Sequence, residues 1–343
     1  MSDHIYHPGN LMLNDRTILI TGGTGSFGNK FTEKVFRLYK PRKVIIYSRD
    51  EFKQYMMRKK FTGFDRNIRY FIGDVRDKER LYRAFRGVDY VIHAAALKHV
   101  PICEYNPFEA VKTNIEGAQN IIDAAIDTGI KKVVALSTDK AVNPINLYGA
   151  TKLASDKIFI SANAYGTHSK TVMSVVRYGN VAGSRGSVIP YFKMLLDQGR
   201  KELPITDHRM TRFWITLDEA VDLVFLALNK SKGGETYISK IPSFRITDLA
   251  EAMQPGCKLK KVGMREGEKL HEVMITEYDS FSTYSYRDHF VIYPNFEWWD
   301  LKRHFTAGGR KVAEFFRYAS DGNDQFLTVE QVRKRLAGLE IVY

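Results

Sequence analysis

The sequence predicts an α/β protein: a Rossmann-like doubly wound parallel sheet followed by a smaller α+β C-terminal region. Three observations carry this expectation. Five or six short apolar runs alternate with helical stretches through the first half of the 343-residue chain, the pattern of a parallel sheet covered on both faces. The first run leads into Thr21-Gly22-Gly23-Thr24-Gly25-Ser26-Phe27-Gly28 just before the first helix. After Asn180 the rhythm changes to mixed helices and short strands with denser turn signals.

Taken in order, residues 1–12 read as an N-terminal arm. Strands are expected over 16–21, 43–48, 68–73, 88–94, 131–137 and 171–177. Helices are expected over 26–39, 51–61, 78–86, 107–128 and 147–165. Beyond them lie helices over 189–198 and 217–229 and strands over 235–239 and 290–293. The expected division is a dinucleotide-binding domain over 1–180 and a mainly substrate-binding domain over 181–343 whose segments can return to the first sheet. Residues 298–343 carry no readable role.

Bulk properties narrow the class. Hydrophobic content of 44% and charged content of 27% are ordinary for a soluble globular protein. No apolar run approaches the roughly 20 residues of a membrane span, and Met1 to Asp15 lack the pattern of a secretory leader. A cytoplasmic location is therefore expected, with Cys103 and Cys257 reduced, unpaired and in no metal spacing. The net charge of +13 is scattered over helical faces, and its densest clusters are Arg58-Lys59-Lys60 and Arg333-Lys334-Arg335. Without aromatic-basic interleaving this argues against nucleic acid and for phosphorylated small molecules. No membrane partner and no metal site are expected.

The glycine turn between strand and helix is the strongest local signal. Gly22, Gly25 and Gly28 let the backbone approach a pyrophosphate, and the helix N-terminus supplies free N–H groups. The second strand ends Tyr47-Ser48-Arg49-Asp50-Glu51. An acidic residue there bonds the ribose of NAD, whereas Arg49 with Ser48 offers donors to a 2′-phosphate, so NADP is preferred over NAD. Asp50 and Glu51 equally read as a helix cap. Asp74, before Val75, can accept from adenine or cap the next helix. Small residues in His93-Ala94-Ala95-Ala96 let a cofactor lie over the sheet edge. Lys98 can meet a phosphate or a substrate oxygen, and His99 reads as a packed or rim histidine. The expected cofactor contacts are Gly22, Thr24, Gly25, Ser26, Phe27, Gly28, Ser48, Arg49, Asp50, Glu51, Phe52, Lys53, Asp74, Val75, Ala94, Lys98, Thr113, Tyr148 and Lys152.

The densest chemistry follows the fifth apolar run. Leu136-Ser137-Thr138-Asp139-Lys140 and Tyr148-Gly149-Ala150-Thr151-Lys152 place four hydroxyls, a carboxylate and two lysines within 17 residues. In an open parallel sheet this strand end is where ligands bind. A turn or a helix cap is the plainer alternative.

Together these residues resemble the extended short-chain dehydrogenase/reductase superfamily. The likeness rests on the glycine turn, Asp74-Val75, His93-Ala94-Ala95-Ala96, Thr113-Asn114, Ser137-Thr138-Asp139-Lys140 and Tyr148 with Lys152. Arg177-Tyr178-Gly179-Asn180-Val181, Gly183-Ser184-Arg185-Gly186-Ser187, Arg209-Met210-Thr211-Arg212-Phe213-Trp214 and Gly267-Glu268-Lys269-Leu270-His271-Glu272 resemble one branch. That branch is the inverting UDP-N-acetylglucosamine 4,6-dehydratases of polysaccharide biosynthesis. The resemblance implies oxidation of a UDP-N-acetylhexosamine at C4 by NADP, loss of water from C5 and C6, and return of the hydride to C6. The product would be a UDP-2-acetamido-2,6-dideoxy-hexos-4-ulose.

Under that resemblance Tyr148 is the base at C4, its pKa lowered by Lys152, and Thr138 bonds the C4 oxygen. Asp139 and Lys140 divide the acid and base work of dehydration. Retaining relatives carry Asp-Glu at those two positions, so Lys140 as the C5 base implies inversion. Substrate contacts are expected from Lys98, Asn180, Val181, Arg185, Arg265 (diphosphate) and Glu268 (uridine ribose). Surface ion pairing is the plainer role for Arg212 and Arg265. A homo-oligomer, dimer or hexamer, is expected. A nucleotide-sugar epimerase on the same fold and a non-catalytic NADP-binding protein are the alternatives.

Overall fold

The computed structural model describes residues 13–165, 170–184, 186–296 and 308–339. The expected N-terminal arm, Arg185 and residues 298–307 and 340–343 of the tail lie outside those described residues.

The first half alternates strand and helix. In chain order it runs β1 (Thr17–Thr21), α1 (Ser26–Leu38), β2 (Lys43–Ser48), α2 (Glu51–Lys60), β3 (Ile68–Ile72), α3 (Lys78–Phe85), β4 (Tyr90–His93), α4 (Val100–Tyr105), α5 (Pro107–Val111), α6 (Gly117–Thr128), β5 (Lys132–Thr138), α7 (Leu147–Ser161) and β6 (Val172–Tyr178). The six strands pair in parallel in the order β3-β2-β1-β4-β5-β6. This is the doubly wound order, with its reversal point between β1 and β4.

The second half continues with α8 (Val188–Asp197), β7 (Glu202–Ile205), β8 (Thr211–Phe213), α9 (Leu217–Lys230), β9 (Thr236–Ser239), β10 (Ser243–Arg245), α10 (Ile246–Met253), β11 (Lys258–Lys261), β12 (Val273–Ile275), β13 (Thr283–Ser285), β14 (His289–Ile292), β15 (Arg310–Lys311), β16 (Tyr318–Ala319) and α11 (Val329–Ala337). Strand β9 adds to β6 in parallel, and β14, β13 and β15 then extend the sheet antiparallel to ten strands.

Burial explains the layers. Strands β1, β2 and β5 are apolar through their middles because both faces are covered. On one face, Phe31 and Val35 of α1 and Val221, Val224 and Phe225 of α9 pack on Ile18, Ile20 and Ile46. On the other, Leu81 and Phe85 of α3, Ile121 and Ile122 of α6 and Phe159 of α7 pack on Leu19, Val91 and Val133. A separate small core joins Phe192 of α8, Trp214, Phe244, Leu249 of α10 and Val332 of α11.

Two departures bear on the site. The single helix expected over 107–128 is interrupted by a π-turn at Lys112–Glu116. The extra residue in that turn shifts the register, so both Thr113 and Asn114 face inward and are buried. Asn114 then holds the loop after β4 through reciprocal bonds with Leu97, each 2.9 Å, and donates to Thr151 Oγ1 of α7 at 3.0 Å. Helix α4 was not expected; Pro101 at its start supplies a preset φ.

Candidate active site

The parallel strands deliver their C-terminal ends to one edge of the sheet, and a cleft of about 680 Å³ opens there. Most of the expected residues line this one cleft. They are Gly22, Thr24, Gly25, Ser26, Phe27, Ser48, Arg49, Asp50, Lys53, Asp74, Val75, Ala94, Lys98 and Thr113, then Thr138, Asp139, Lys140, Tyr148, Lys152, Asn180 and Val181. Gly28, Glu51 and Phe52 do not line it. A Cβ on Gly28 would sit 2.2 Å from Gly23 O, so this glycine lets α1 pack closely on the turn after β1. Phe52 is exposed on α2.

At the end of β2, Ser48 Oγ and Thr24 Oγ1 share a hydrogen bond of 2.9 Å. Asp50 caps α2 by accepting from Lys53 N at 2.9 Å, the capping role weighed for it from the sequence. Burial pushes Asp74 up, but its bonds from Arg76 more than offset this and hold it below the usual carboxylate range. Arg49 lies 3.4 Å from the same carboxylate.

Strand β5 ends at Thr138, where the chain turns through Asp139–Ala141 before α7. Thr138 Oγ1 donates to Asp139 Oδ1 at 2.9 Å and accepts from Lys140 N at 3.3 Å, so the hydroxyl closes the turn. Asn146 caps α7 by accepting from Gly149 N at 2.8 Å. Gly149 is required here: a Cβ would lie 2.1 Å from Lys140 O. Its bare backbone lets the first turn of α7 press against the Asp139–Lys140 turn, which places Tyr148 beside those residues.

The electrostatics follow from burial. The Tyr148 phenol is pushed up to about 12 by burial, with the charge of Lys140 and hydrogen bonding with Thr138 offsetting part of the effect. The offsetting cation is thus chiefly Lys140, where the sequence pointed to Lys152. Burial lowers Lys152, and Asp156, one helical turn further on, partly restores it. Asp156 is itself raised by burial and accepts from Ser137 Oγ at 2.5 Å. Burial also pulls Lys140 down, but Asp139 and Glu272 more than compensate, and its ammonium is held well above the ordinary lysine range. Lys140 Nζ lies 3.1 Å from Asp139 Oδ1 and 3.6 Å from Glu272 Oε1.

Arg265 and Glu268 border an adjoining cavity of about 840 Å³ that also meets Asn180, Val181 and Arg212. Glu268 accepts from Thr206 Oγ1 at 3.0 Å and pairs with Arg212 at 3.6 Å. Arg212 is not a surface residue. Only 8% of its side chain is exposed, and it donates to the carbonyls of Thr211, Lys269 and Leu270. Glu272, Asp156 and Arg212 are the members of the site that sequence reasoning did not assign. The Gly267 to Glu272 motif was the signal that could have found Glu272. Among the described residues no cluster of His, Cys, Asp or Glu could hold a metal ion, and no helix is long and apolar enough to cross a membrane.

A doubly wound sheet, a glycine turn and a Tyr148/Lys152 pair at one sheet edge define a protein of the short-chain dehydrogenase/reductase type. The chain belongs to the polysaccharide biosynthesis protein family, which matches residues 18–294. It is 55% identical over 326 residues to the UDP-N-acetylglucosamine 4,6-dehydratase (inverting) of Campylobacter jejuni, covering 94% of this chain and 97% of that one. It is 40% identical over 338 residues to the UDP-glucose 4-epimerase of Rickettsia akari, covering 96% and 98%. Among solved structures it resembles Pen from Bacillus thuringiensis at a TM-score of 0.86 and 38% identity, covering 95% of this chain and 99% of that one. The dTDP-glucose 4,6-dehydratase DesIV of Streptomyces venezuelae, solved with NAD and TYD bound, shares the fold at a TM-score of 0.65 and 24% identity, covering 74% and 86%. The branch read from the motifs agrees with the first of these relatives.

Proposed function

We propose that this chain dehydrates UDP-N-acetylglucosamine across C5 and C6 with inversion at C5, acting as a hydro-lyase. The observation that carries the reading is the Asp139–Lys140 pair beside Tyr148, in a chain 55% identical to a dehydratase of that kind. An epimerase needs the Tyr148/Lys152 pair but leaves Asp139 and Lys140 with less to do.

The cleft suits a nicotinamide dinucleotide. Thr113 Oγ1 and Asn180 Oδ1 are buried along it without protein partners, as atoms awaiting a ligand are. Ser48, Arg49 and Lys53 favour the 2′-phosphate of NADP over NAD. When bound, the dinucleotide supplies the hydride acceptor for C4 and the donor for C6. We assign residues 1–180 mainly to it and 181–343 mainly to the sugar nucleotide, with returning strands completing the sheet. By the same resemblance we place the protein in the cytoplasm as a homo-oligomer.

The chain's own groups then divide the proton work. Tyr148 is a neutral phenol in the ligand-free cleft, so it must first lose its own proton; as the phenolate, which the charge of Lys140 favours, it takes the proton of the C4 hydroxyl, and Thr138 orients that oxygen. Lys152 steadies the ribose and the local charge. Once C4 is a ketone, the C5 proton is acidic and Lys140 removes it. Asp139 gives a proton to the departing C6 hydroxyl. Lys140 is an ammonium in the ligand-free cleft; transfer of that proton across 3.1 Å to Asp139 would leave both the amine that accepts from C5 and the acid that donates to the C6 hydroxyl. Arg265 suits the diphosphate, since its fork binds bidentately, and Glu268 suits the uridine ribose. Asn180 and Val181 line both cavities and Lys98 the first, where they can meet the sugar nucleotide.

The test is incubation with UDP-N-acetylglucosamine and NADP, followed by mass and NMR analysis of the product. Loss of one water with an inverted C5 is the expected result. A product of unchanged mass moves the assignment to an epimerase. An untouched sugar with NADP bound moves it to a binding protein.

A further inference from the structure

We propose that Glu272 is a positioning residue for Lys140: pinned from behind by Arg212, its carboxylate holds the lysine amine at the cleft floor against Asp139. The proposal rests on the reading that Lys140 performs the C5 proton transfer. Glu272 Oε1 lies 3.6 Å from Lys140 Nζ and 3.6 Å from Arg212 Nε. The carboxylate is almost fully buried, with 3% of its side chain exposed, and its second oxygen has no protein partner. A buried carboxylate with one uncommitted oxygen is costly to keep unless something uses its charge. Here the charge is used on the one lysine that faces both Asp139 and the cleft.

The backbone fixes the placement. The loop bearing Glu272 is tied to the catalytic turn at two further points: Asn146 Nδ2 donates to Gly267 O at 2.7 Å, and Lys269 Nζ donates to Val142 O. Behind it, the Glu272 backbone is held as well, its N–H donating to Ser320 Oγ at 2.9 Å. The loop therefore presents Glu272 to Lys140 as a rigid wall.

The charges that face Lys140 are Asp139 on its own turn, Glu272 and Lys269 on the loop, Arg212 of β8 and the Tyr148 phenol of α7. Two carboxylates oppose the cations. Removing the Glu272 charge leaves Lys140 with Asp139 alone and exposes it to Arg212. The ammonium then loses its proton more readily, so the amine should appear at lower pH. This separates a positioning role from mere packing, because packing alone does not move a titration.

Glu272→Gln keeps the shape and removes the charge, and Glu272→Asp keeps the charge on a shorter arm. Lysines of the full chain are labelled with methyl acetimidate across a pH series, and Lys140 is read by peptide mass spectrometry. The readout is the pH at which the labelling rate levels off, since looser access changes the rate but not that pH. In wild type the rate should still be rising at about pH 11, because the ammonium is held above the ordinary lysine range; in Glu272→Gln it should level off about one to three pH units lower than in wild type, and Glu272→Asp should behave like wild type. The rising limb of kcat against pH for dehydration should move to lower pH in the same variant, with KM little changed. Superimposable Lys140 titrations in wild type and Glu272→Gln overturn the proposal. Labelling needs no turnover, so an inactive wild type would sink the dehydratase reading and leave this result to stand or fall alone.

Discussion

Replacing His93 with Gln should flatten the acid side of the stability profile. His93 ends β4 with its ring 1% exposed; Nδ1 shares a 2.8 Å hydrogen bond with Thr21 Oγ1, and Nε2 is buried without a partner. Burial, helped by the charge of Lys152, pushes the imidazole down to about 3. The folded ring therefore stays neutral while the unfolded ring protonates near pH 6.5. The stability it contributes is fully present above about pH 6.5 and is lost as the pH falls towards 3. At about 1.4 kcal/mol per pH unit, the loss between pH 6.5 and 5 is about 2 kcal/mol. Gln has no such proton, and whatever packing it forfeits is forfeited at both pH values. Asp156 titrates with the opposite sign, but it does so in both proteins and cancels. Urea unfolding at pH 7.5 and 5.0, at fixed ionic strength, gives the difference of differences. Wild type should lose about 2 kcal/mol more than His93→Gln on acidification. Equal losses in the two proteins would refute the argument that the ring is held neutral by burial.

Three further outcomes follow from the structure. Gly28→Ala forces a methyl to within 2.2 Å of Gly23 O, so it should cost about 1 to 3 kcal/mol of stability by overpacking, read as a lower midpoint in chemical denaturation. Tyr148→Phe should slow C4 oxidation by about 10²- to 10⁴-fold; nicotinamide reduction at the wild-type rate in a single turnover would remove Tyr148 from the chemistry. Arg49→Ala should weaken NADP binding by about tenfold or more and leave NAD binding nearly unchanged, as calorimetry on each nucleotide would show.

What the sequence reveals here is what is local along the chain. The glycine turn, the strand ends and the Tyr148/Lys152 spacing are each set by neighbours within a few residues, so composition and periodicity expose them. The π-turn at Lys112–Glu116 is also local, yet periodicity hides it, because one extra residue per turn hardly alters an apolar stripe. Asp156 stands one turn beyond Lys152 and still carries no signature. It acquires meaning only when β5 and β6 pair and bring Ser137 and Arg177 to it. Arg212 shows the limit most sharply. Read alone, Arg212 is as well explained by surface ion pairing as by the site, and only the fold turns the 268–272 loop over it and fills its guanidinium with carbonyls and two carboxylates. Once that happens, an unbroken line of opposite charges runs Glu268, Arg212, Glu272, Lys140, Asp139. Its two ends lie at the border of the second cavity and at the end of β5. The adjacency of Asp139 and Lys140 is legible in the sequence; that Glu272, from the other half of the chain, joins Asp139 in holding the Lys140 ammonium charged is not.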